Sequence, residues 1–300
     1  MINKTIYIWA SDSSKNSGEG RLAHFFLERL SRNKITFKII KKTNFKTKFL
    51  NKVYNYRYLL PLIGIVNCWY YFLKGHKIGY LNYLPMWNFF IFLLLPPKSI
   101  IGPITGGANF NTNNFFIRKY VFPIFYKISE IIINFRKYNL LFSTDLLKKY
   151  LSNRTQKKSE FNFVIKNFSY QRKTKKNIDF LFYFRDHKNK KSFFPFKLIN
   201  DLIILGFKIN IVGSKLNIPQ VINHKRITNK KLASLQARTF FTVASSENLY
   251  SLFTLECITN NVKILISKRD KSKIKYFNTS FLKINFNNLK ELNRVKKLYI

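Results

Sequence analysis

The chain has 300 residues, enough for about two domains with sizeable cores. Hydrophobic residues make up 46% of it and aromatic residues 17%, which excludes a disordered chain. Lys and Arg number 54 against 13 Asp and Glu, a formal net charge of +41. This excess indicates a polyanion, a phosphate-rich substrate or an acidic membrane surface as partner. The abundance of Lys, Asn, Ile and Phe, typical of an AT-rich genome, is the alternative source of the charge.

Cys68 and Cys257 lie in separate halves, so a disulfide framework and a cysteine-based zinc site are excluded and a reducing compartment fits. The apolar run at the amino terminus is too short for a signal peptide. Two longer apolar stretches, Leu59–Leu73 and Tyr83–Leu95, fall short of the ~20 residues that span a bilayer. We therefore expect buried strands and helices, or an interfacial segment, at both places.

The first elements alternate between strand and helix. Ile6–Ala10 has the pattern of a short buried strand, and the polar loop Ser11–Ser17 follows it. The next segment, Gly18–Lys34, carries apolar residues at helical spacing, and Thr36–Ile40 is a second strand. A strand, a helix and a strand joined by short links predict a parallel α/β layer.

The same alternation returns in the second half, after a linker near residues 168–177. Strands are predicted there at Asp179–Phe184, Phe207–Val212, Phe240–Ala244 and Val262–Ser267, and helices at Phe193–Leu205, Asn229–Arg238 and Leu252–Asn260. A further strand is predicted before the linker, between the two halves, at Phe161–Lys166. The fold class is therefore predicted as α/β, with two facing Rossmann-like domains built on parallel sheets. Their predicted bounds are residues 1–167 and 178–300.

Glycine is scarce, with 10 residues, so its positions carry information. Gly18 and Gly20 stand just before a predicted helix, and Gly106 and Gly107 lie in the segment IIGPITGGANF. Such loops let backbone N–H groups approach a phosphate, and a plain turn is the alternative. The first pair also fits a G-x-G-x-x-A dinucleotide pattern, which leaves an NADP-dependent enzyme as an alternative. The loop before it is too long for that turn, and no acidic residue follows about 20 positions later.

The second half places charged residues where a predicted strand or helix ends. Arg185 follows a strand and Lys190 comes five residues later, a pair that suits a diphosphate. Glu247 and Glu256 flank the start of a helix near Ser251, where carboxylates can accept from sugar hydroxyls and backbone N–H groups can bind phosphate. A solvated basic turn and a capping carboxylate are the alternatives.

Together these segments resemble glycosyltransferase family 4, retaining enzymes with the GT-B fold of two Rossmann-like domains; the chain resembles a short and somewhat divergent member. The resemblance rests on motifs that occur in the family's order along the chain. They are the GPITGG segment, Phe184-Arg185 with Lys190, Val212-Gly213, the segment ITNKKLASL at 227–235 and the segment SSENLYSLFTLE at 245–256.

The resemblance implies roles for individual residues. Glu247 would contact the transferred sugar as the catalytic residue. The donor would be bound by Arg185, Lys190, Gly213, Ser251, Leu252 and Glu256, and Gly18, Gly20, Gly106 and Gly107 would form a phosphate or acceptor loop. Eight residues separate the two glutamates where the family has seven, so strict spacing selects Asn248, and Ser251 replaces the usual glycine. No metal cluster is apparent in the sequence, and the cations expected at the diphosphate indicate metal independence. No cofactor is implied, since the nucleotide-sugar is a substrate.

The predicted function is sugar transfer from a nucleotide-diphosphate donor, with retention, to a lipid-linked or cell-surface polysaccharide acceptor, as in lipopolysaccharide synthesis. The sequence between Glu28 and Glu130 contains no acidic residue. An inverting enzyme needs a base near the acceptor, which leaves Asp12, Glu19, His24 or His76. A retaining enzyme has less need of such a base, because the leaving diphosphate can take the acceptor proton.

Residues 41–60, KKTNFKTKFLNKVYNYRYLL, alternate cations with Phe and Tyr. This mixture suits an anionic membrane surface, so we predict a peripheral protein on the cytoplasmic face of the plasma membrane. The alternative is not an enzyme but a basic protein that binds single-stranded nucleic acid, since interleaved cations and aromatic residues also suit that ligand. No RNP-like, zinc-finger or helix-turn-helix pattern supports that alternative.

Overall fold

The computed structural model describes residues 5–14, 17–40, 59–105, 116–165, 175–186, 191, 194–225, 227–245 and 248–299. The chain divides into two compact units, Met1–Asn167 and Phe168–Ile300. Each unit contains a six-stranded sheet with helices between most successive strands, so the predicted α/β class with two Rossmann-like parallel sheets is confirmed. The predicted linker near residues 168–177 lies mostly outside the described residues.

The sheet of the first unit has the order β2-β1-β3-β4-β5-β6, and all its strand pairs are parallel. Its strands are β1 (Ile6–Trp9), β2 (Phe37–Ile39), β3 (Lys77–Pro85), β4 (Ile100–Thr105), β5 (Asn139–Phe142) and β6 (Ser159–Glu160). Its helices are α1 (Gly18–Arg32), α2 (Leu60–Leu73), α3 (Phe89–Leu94), α4 (Phe122–Arg136) and α5 (Asn153–Lys157). The core between them is rich in aromatic residues, including Trp9, Tyr80, Phe92, Tyr126 and Phe142.

The sheet of the second unit has the order β12-β11-β10-β7-β8-β9, again with parallel pairs throughout. Its strands are β7 (Ile178–Phe184), β8 (Ile209–Gly213), β9 (Val221–His224), β10 (Thr239–Val243), β11 (Lys263–Ser267) and β12 (Phe281–Ile284). Its helices are α6 (Phe196–Ile204), α7 (Asn229–Ala237), α8 (Leu252–Thr259) and α9 (Leu289–Tyr299). Phe180 of β7 and Phe241 of β10 are fully buried at the centre of this unit.

The apolar stretch Leu59–Leu73 contains helix α2, with Leu59 as its N-cap. Pro61 stands in its first turn, where proline is tolerated because that N–H has no helical partner. Asn67 is buried, and its side-chain amide donates to the backbone carbonyl of Ile63, which satisfies the polar group inside an apolar helix. Among the described residues, no helix combines the length and the hydropathy needed to cross a membrane.

The predicted strand Phe161–Lys166 is wrong for the residues that the structure describes there. The edge strand β6 ends at Glu160, and Asn162 then adopts a left-handed conformation with φ of 54°. This conformation turns the chain out of the sheet, because strand pairing needs extended backbone. Phe163 and Val164 are buried all the same, so their apolar character reflects packing and not strand pairing.

A buried carboxylate ties α4 to the segment after β5. Glu130 accepts hydrogen bonds from the N–H of Ser152 at 2.6 Å, from Oγ1 of Thr155 at 2.7 Å and from Nζ of Lys127 at 3.1 Å. Burial raises the pKa of the Glu130 carboxyl, but these hydrogen bonds outweigh it and leave the pKa below its ordinary value. The charged form of Glu130 therefore stabilises the fold.

We expect Glu130→Gln to lower the free energy of unfolding at pH 7 by about 1–3 kcal/mol, because a buried hydrogen-bond network loses its charged acceptor. The lowered pKa means that this stabilisation is present above the ordinary carboxyl pKa of about 4.3 and is lost as the pH falls through the folded-state value. Denaturant unfolding of both proteins between pH 3 and pH 7 measures the effect. Glu28→Gln, at an exposed position of α1, is the control; equal effects of the two substitutions would contradict the prediction.

Candidate functional site

The sheet order of the second unit creates a crevice beside β7. The chain first builds β8 and β9 on one side of β7 and then crosses to build β10, β11 and β12 on the other side. At such a reversal the loops leaving neighbouring strands diverge, and ligands of α/β proteins bind at the carboxyl ends of the strands there. The end of β7 and the end of β10 are therefore the first place to search for a site.

A cavity of about 190 Å³ lies at this point. Its walls come from the ends of β7 and β10, the segment before α6 and the start of α8. The lining residues are Phe182, Tyr183, Arg185, Phe194, Pro195, Val243, Ala244, Ser245, Asn248, Ser251, Phe253 and Thr254. Arg185 and Ser251 are predicted donor-binding residues, and Asn248 is the residue that strict motif spacing selects.

Among the described residues that line the cavity, Arg185 supplies the cation. Arg185 directly follows the last residue of β7, and its side chain is exposed. The backbone beyond it is fixed, because the N–H of Asp186 donates to Oγ of Ser214 at 3.0 Å. The carboxylate of Asp186 pairs with Lys191 at 3.6 Å. The strand end thus presents a planar guanidinium that can bind a phosphate through two hydrogen bonds.

The start of α8 is the second polar wall. Ser251 is the N-cap, and its Oγ accepts from the N–H of Thr254 at 3.2 Å. Leu252 begins the helix, so the first N–H groups of α8 lie at the cavity with the positive end of the helix dipole. A guanidinium and a helix N-terminus on one cavity form a suitable environment for an anion.

An aromatic pair, which the sequence did not indicate, completes the wall. Tyr183 and Phe253 are stacked with ring centroids 5.6 Å apart, and Tyr183 is half exposed. The alternation of side chains along β7 puts Tyr183 on the face opposite Phe182 and Phe184, and this period of two is the signal that could have found it. The pair offers a flat apolar surface beside the anion-binding groups.

Glu256 lies on α8 beyond the cavity lining. Its Oε2 accepts from Nε2 of the buried Gln236 on α7 at 3.4 Å, and the residue is half-buried. The structure therefore brings Arg185 and Ser251 together at the cavity, with Leu252 directly after Ser251, and places Glu256 five residues after Ser251 on the same helix. Of the other predicted site residues, Lys190, Glu247, Gly106 and Gly107 lie outside the described residues.

Lys176, whose pKa is lowered, lies far from this cavity. Burial lowers the pKa of Lys176 to about 8, and its Nζ donates to the carbonyl oxygens of Thr239 and Asn260. Thr239 begins β10, so Lys176 stands at the amino edge of the sheet, opposite the cavity. Its role is to satisfy backbone carbonyls. Among the described residues, no group of three or more His, Cys, Asp or Glu side chains is arranged to hold a metal ion.

The first unit has its own cavity at the corresponding reversal, between the carboxyl ends of β1 and β3. It has a volume of about 320 Å³ and is lined by Ser11, Asp12, Glu19, Leu60, Pro61, Tyr80, Asn82, Tyr83, Leu84 and Ile91. Two of the chain's 13 acidic residues therefore meet here. Oδ1 of the buried Asn82 accepts from the N–H of Ser11 at 2.9 Å and from its hydroxyl, which ties the two strand ends together.

The four candidate bases are separated by the fold. Asp12 and Glu19 line the cavity of the first unit. A ring nitrogen of His24 lies 2.7 Å from the carbonyl oxygen of Ser13, so this side chain holds the loop. His76 precedes β3 and packs against Tyr7, at the amino edge of the sheet and away from the cavity.

The predicted loop glycines have different structural roles. Gly20 lies in α1 against the loop after β1, where a Cβ atom would clash with the backbone of Ser14 and lie 2.9 Å from Oδ1 of Asp12. A Cβ atom on Gly18 would meet nothing within 4 Å. Gly213 ends β8 with φ of 103°, and a Cβ atom there would clash with the carbonyl oxygen of Phe184. Gly213 thus allows β8 to pass close to the end of β7, just before Arg185.

We expect Gly213→Ala to destabilise the protein by about 1–3 kcal/mol, because it adds a steric clash at a left-handed backbone position. Gly18→Ala is the matched control and should be neutral or stabilise by up to ~1 kcal/mol, since alanine is the better helix former. Thermal and denaturant unfolding measure both. A Gly213→Ala protein as stable as the Gly18→Ala protein would refute this account of the strand end.

The sequence matches no protein-family profile and no curated protein. Solved structures similar to the chain include a DNA-modifying β-glucosyltransferase studied with and without its substrate uridine diphosphoglucose (12% identity, 98% of this chain, 88% of that chain, TM-score 0.49). A T4 phage β-glucosyltransferase (14%, 98% and 88%, TM-score 0.47) and the calicheamicin glycosyltransferase CalG4 (10%, 99% and 89%, TM-score 0.38) are also similar. All three are glycosyltransferases, and likeness at this level does not assign a family to the chain.

Proposed function

We propose that this protein is a glycosyltransferase that binds a nucleotide-diphosphate sugar in the crevice of its second unit. The observation that carries the proposal is the convergence of the Arg185 guanidinium and the N-terminus of α8 on one cavity beside β7. Both groups favour a multiply charged anion, and the cavity stands where the strand order reverses. A sugar diphosphate joins such an anion to a neutral, hydroxyl-rich group.

In this proposal the diphosphate contacts Arg185 and the first N–H groups of α8, with Lys190 as a further cation. The aromatic pair Tyr183 and Phe253 gives the nucleoside an apolar surface. Glu256 accepts from the ribose hydroxyls, and its contact with Gln236 orients the carboxylate. Charge developing on the leaving diphosphate is stabilised by groups already in position, so little reorganisation is needed during the reaction.

For the chemical step we propose retention of configuration, with Glu247, or Asn248 at the cavity wall, contacting the transferred sugar. The bond between the anomeric carbon and the diphosphate oxygen breaks, and a bond to the acceptor oxygen forms on the same face of the sugar. The acceptor proton passes to the departing diphosphate oxygen. Family 4 membership and retention rest on the sequence motifs.

The cavity of the first unit is our proposed acceptor site. Asp12, Glu19 and Asn82 supply carboxylate and amide groups for hydroxyls, and Tyr80 and Tyr83 supply aromatic surface. These carboxylates repel a phosphate, so they favour the sugar part of an acceptor over an NADP phosphate beside Gly20. We propose a lipid-linked or cell-surface glycan as the acceptor. The nucleic-acid alternative receives no support from this arrangement.

We expect UDP or GDP, or a sugar ester of either, to raise the melting temperature of the wild-type protein. Ligand at 100 times its dissociation constant adds about 2.7 kcal/mol to the free energy of unfolding. Arg185→Ala and Glu256→Ala should abolish most of the shift, because each removes a contact to the donor. Arg294→Ala, at an exposed position of α9, removes the same charge elsewhere and is the control.

Two outcomes of this thermal-shift screen would contradict the proposal. One is a wild-type protein that no nucleoside diphosphate or nucleotide-sugar stabilises. The other is a shift that Arg185→Ala and Arg294→Ala reduce equally, which would reflect general charge and not the cavity. Circular dichroism of each variant checks that it is folded.

Retention makes a separate prediction for the wild-type enzyme. A donor with an α-linked sugar should give an α-linked product, because the new bond forms on the face that the diphosphate leaves. The coupling constant of the anomeric proton in the product's NMR spectrum distinguishes the two anomers. A β-linked product would reject retention while leaving the donor site in place, and it would direct attention to Asp12 and Glu19 as bases.

A further inference from the structure

Helix α2 of the first unit exposes an apolar stripe. Leu62, Val66, Tyr70 and Leu73 are all exposed and recur at intervals of three or four residues, which places them on one face of the helix. Leu73 is 78% exposed. The helix contains no charged residue at all, so both its inner and its outer faces are apolar. A helix of this kind on the surface of a protein indicates a contact that the isolated chain does not make.

Helices α3 and α4 also expose apolar side chains. The exposed apolar residues are Phe90, Leu93 and Leu94 on α3, Ile124, Ile131 and Phe135 on α4, and Phe116, Ile117 and Tyr120 in the turns leading into α4. Phe135 is 82% exposed. Single exposed apolar residues are normal, but three neighbouring helices that each present several are not.

The three helices are joined side by side, so their exposed faces form one surface. Nε1 of Trp69 on α2 donates to the carbonyl oxygen of Leu94 at 2.7 Å, and the guanidinium of Arg136 on α4 donates to that of Leu93 at 3.0 Å. The successive crossovers from β2 to β3, β4 and β5 also run in one direction, which puts their helices on the same side of the sheet. We call the exposed apolar residues of α2, α3 and α4, with those leading into α4, the three-helix face.

Cations border this face. One exposed lysine follows the end of each helix, Lys74 after α2, Lys98 after α3 and Lys137 after α4. The backbone N–H of Lys98 donates to the carbonyl oxygen of Arg136, so two of these helix ends lie together. Exposed Lys119 stands between the exposed residues that lead into α4. The sequence has no Asp or Glu from residue 29 to residue 129, so no carboxylate of these helices before Glu130 offsets the lysines.

The positive charge around the three-helix face distinguishes between its possible binding partners. A second copy would bring a net charge of +41 and the same lysines against the first, which opposes association. A bilayer with anionic lipids supplies phosphate groups for the lysines and an apolar interior for the Leu, Ile and Phe side chains. Aromatic residues such as Tyr70, Trp87 and Tyr120 suit the headgroup boundary.

We propose that the three-helix face docks the first unit on an anionic membrane, with its apolar side chains at the acyl boundary and its lysines against lipid phosphates. The surface differs from the basic and aromatic segment at residues 41–60, which lies mostly outside the described residues. The inference rests on the proposed function in one respect: docking on a membrane would give a glycosyltransferase access to a lipid-linked acceptor. The evidence for the face is its exposure and charge.

Flotation of the full-length protein with vesicles tests the proposal. We expect binding to vesicles of phosphatidylcholine with phosphatidylglycerol, and weaker binding to phosphatidylcholine alone or at high salt. The triple variant Leu73→Ser, Phe90→Ser, Phe135→Ser should bind at least about tenfold less, because three apolar insertions are lost. The matched control is Ile204→Ser with Ile222→Ser, two exposed apolar positions of the second unit.

The outcomes separate the docking surface from the proposed function. A wild-type protein that binds neither kind of vesicle overturns the proposal, as does a triple variant that floats like the control. Sedimentation that shows a wild-type dimer dissociated by the triple substitution would assign the face to self-association and also overturn it. The triple variant should keep the melting-temperature shift with nucleoside diphosphates, since it leaves the second unit unchanged. A wild-type protein that binds the vesicles but shows no melting-temperature shift with nucleoside diphosphates would reject only the proposed donor site.

Discussion

The right-handed crossover of parallel strands is the constraint on which the other features of this protein depend. In both sheets the first strand, β1 or β7, ends up inside the sheet, because the chain builds outward on one side and then returns to build on the other. The loops at the carboxyl ends diverge at that reversal. Both described crevice cavities lie there, and the residues around them are distant in sequence. The positions of the two crevices therefore follow from the strand order, and the side chains around them determine what each crevice can bind.

The two crevices differ in charge although the chain is basic throughout. The second unit brings a guanidinium and a helix N-terminus to its cavity, whereas the first unit brings Asp12 and Glu19 to its own. An anionic diphosphate suits the former environment and a neutral, hydroxyl-bearing group suits the latter. The overall charge does not describe either site, and much of it lies elsewhere, including the lysines that border the three-helix face.

Sequence patterns predicted the second unit better than the first. The predicted strands and helices after residue 178 correspond to β7, β8, β10, β11 and α6 to α8, since short links and clear periodicity separate them. In the first unit, continuous apolar runs such as Tyr83–Leu95 could not be assigned, because a strand buried on both faces and a buried helix look alike in sequence. That run contains the end of β3 and all of α3. The misassigned strand at Phe161 has a local cause, since a single left-handed residue, Asn162, breaks the pattern.

By itself the sequence determined the α/β class, the two parallel sheets, and Arg185 and Ser251 as candidates for a phosphate site, because periodicity and position at element ends are local properties. Tertiary structure alone decided that Arg185 and the N-terminus of α8 share a cavity with Tyr183 and Phe253, and that Asp12 and Glu19 meet in another. It also decided which apolar residues of α2, α3 and α4 remain exposed. Composition counts charged and apolar residues, but packing determines which of them meet and which face solvent.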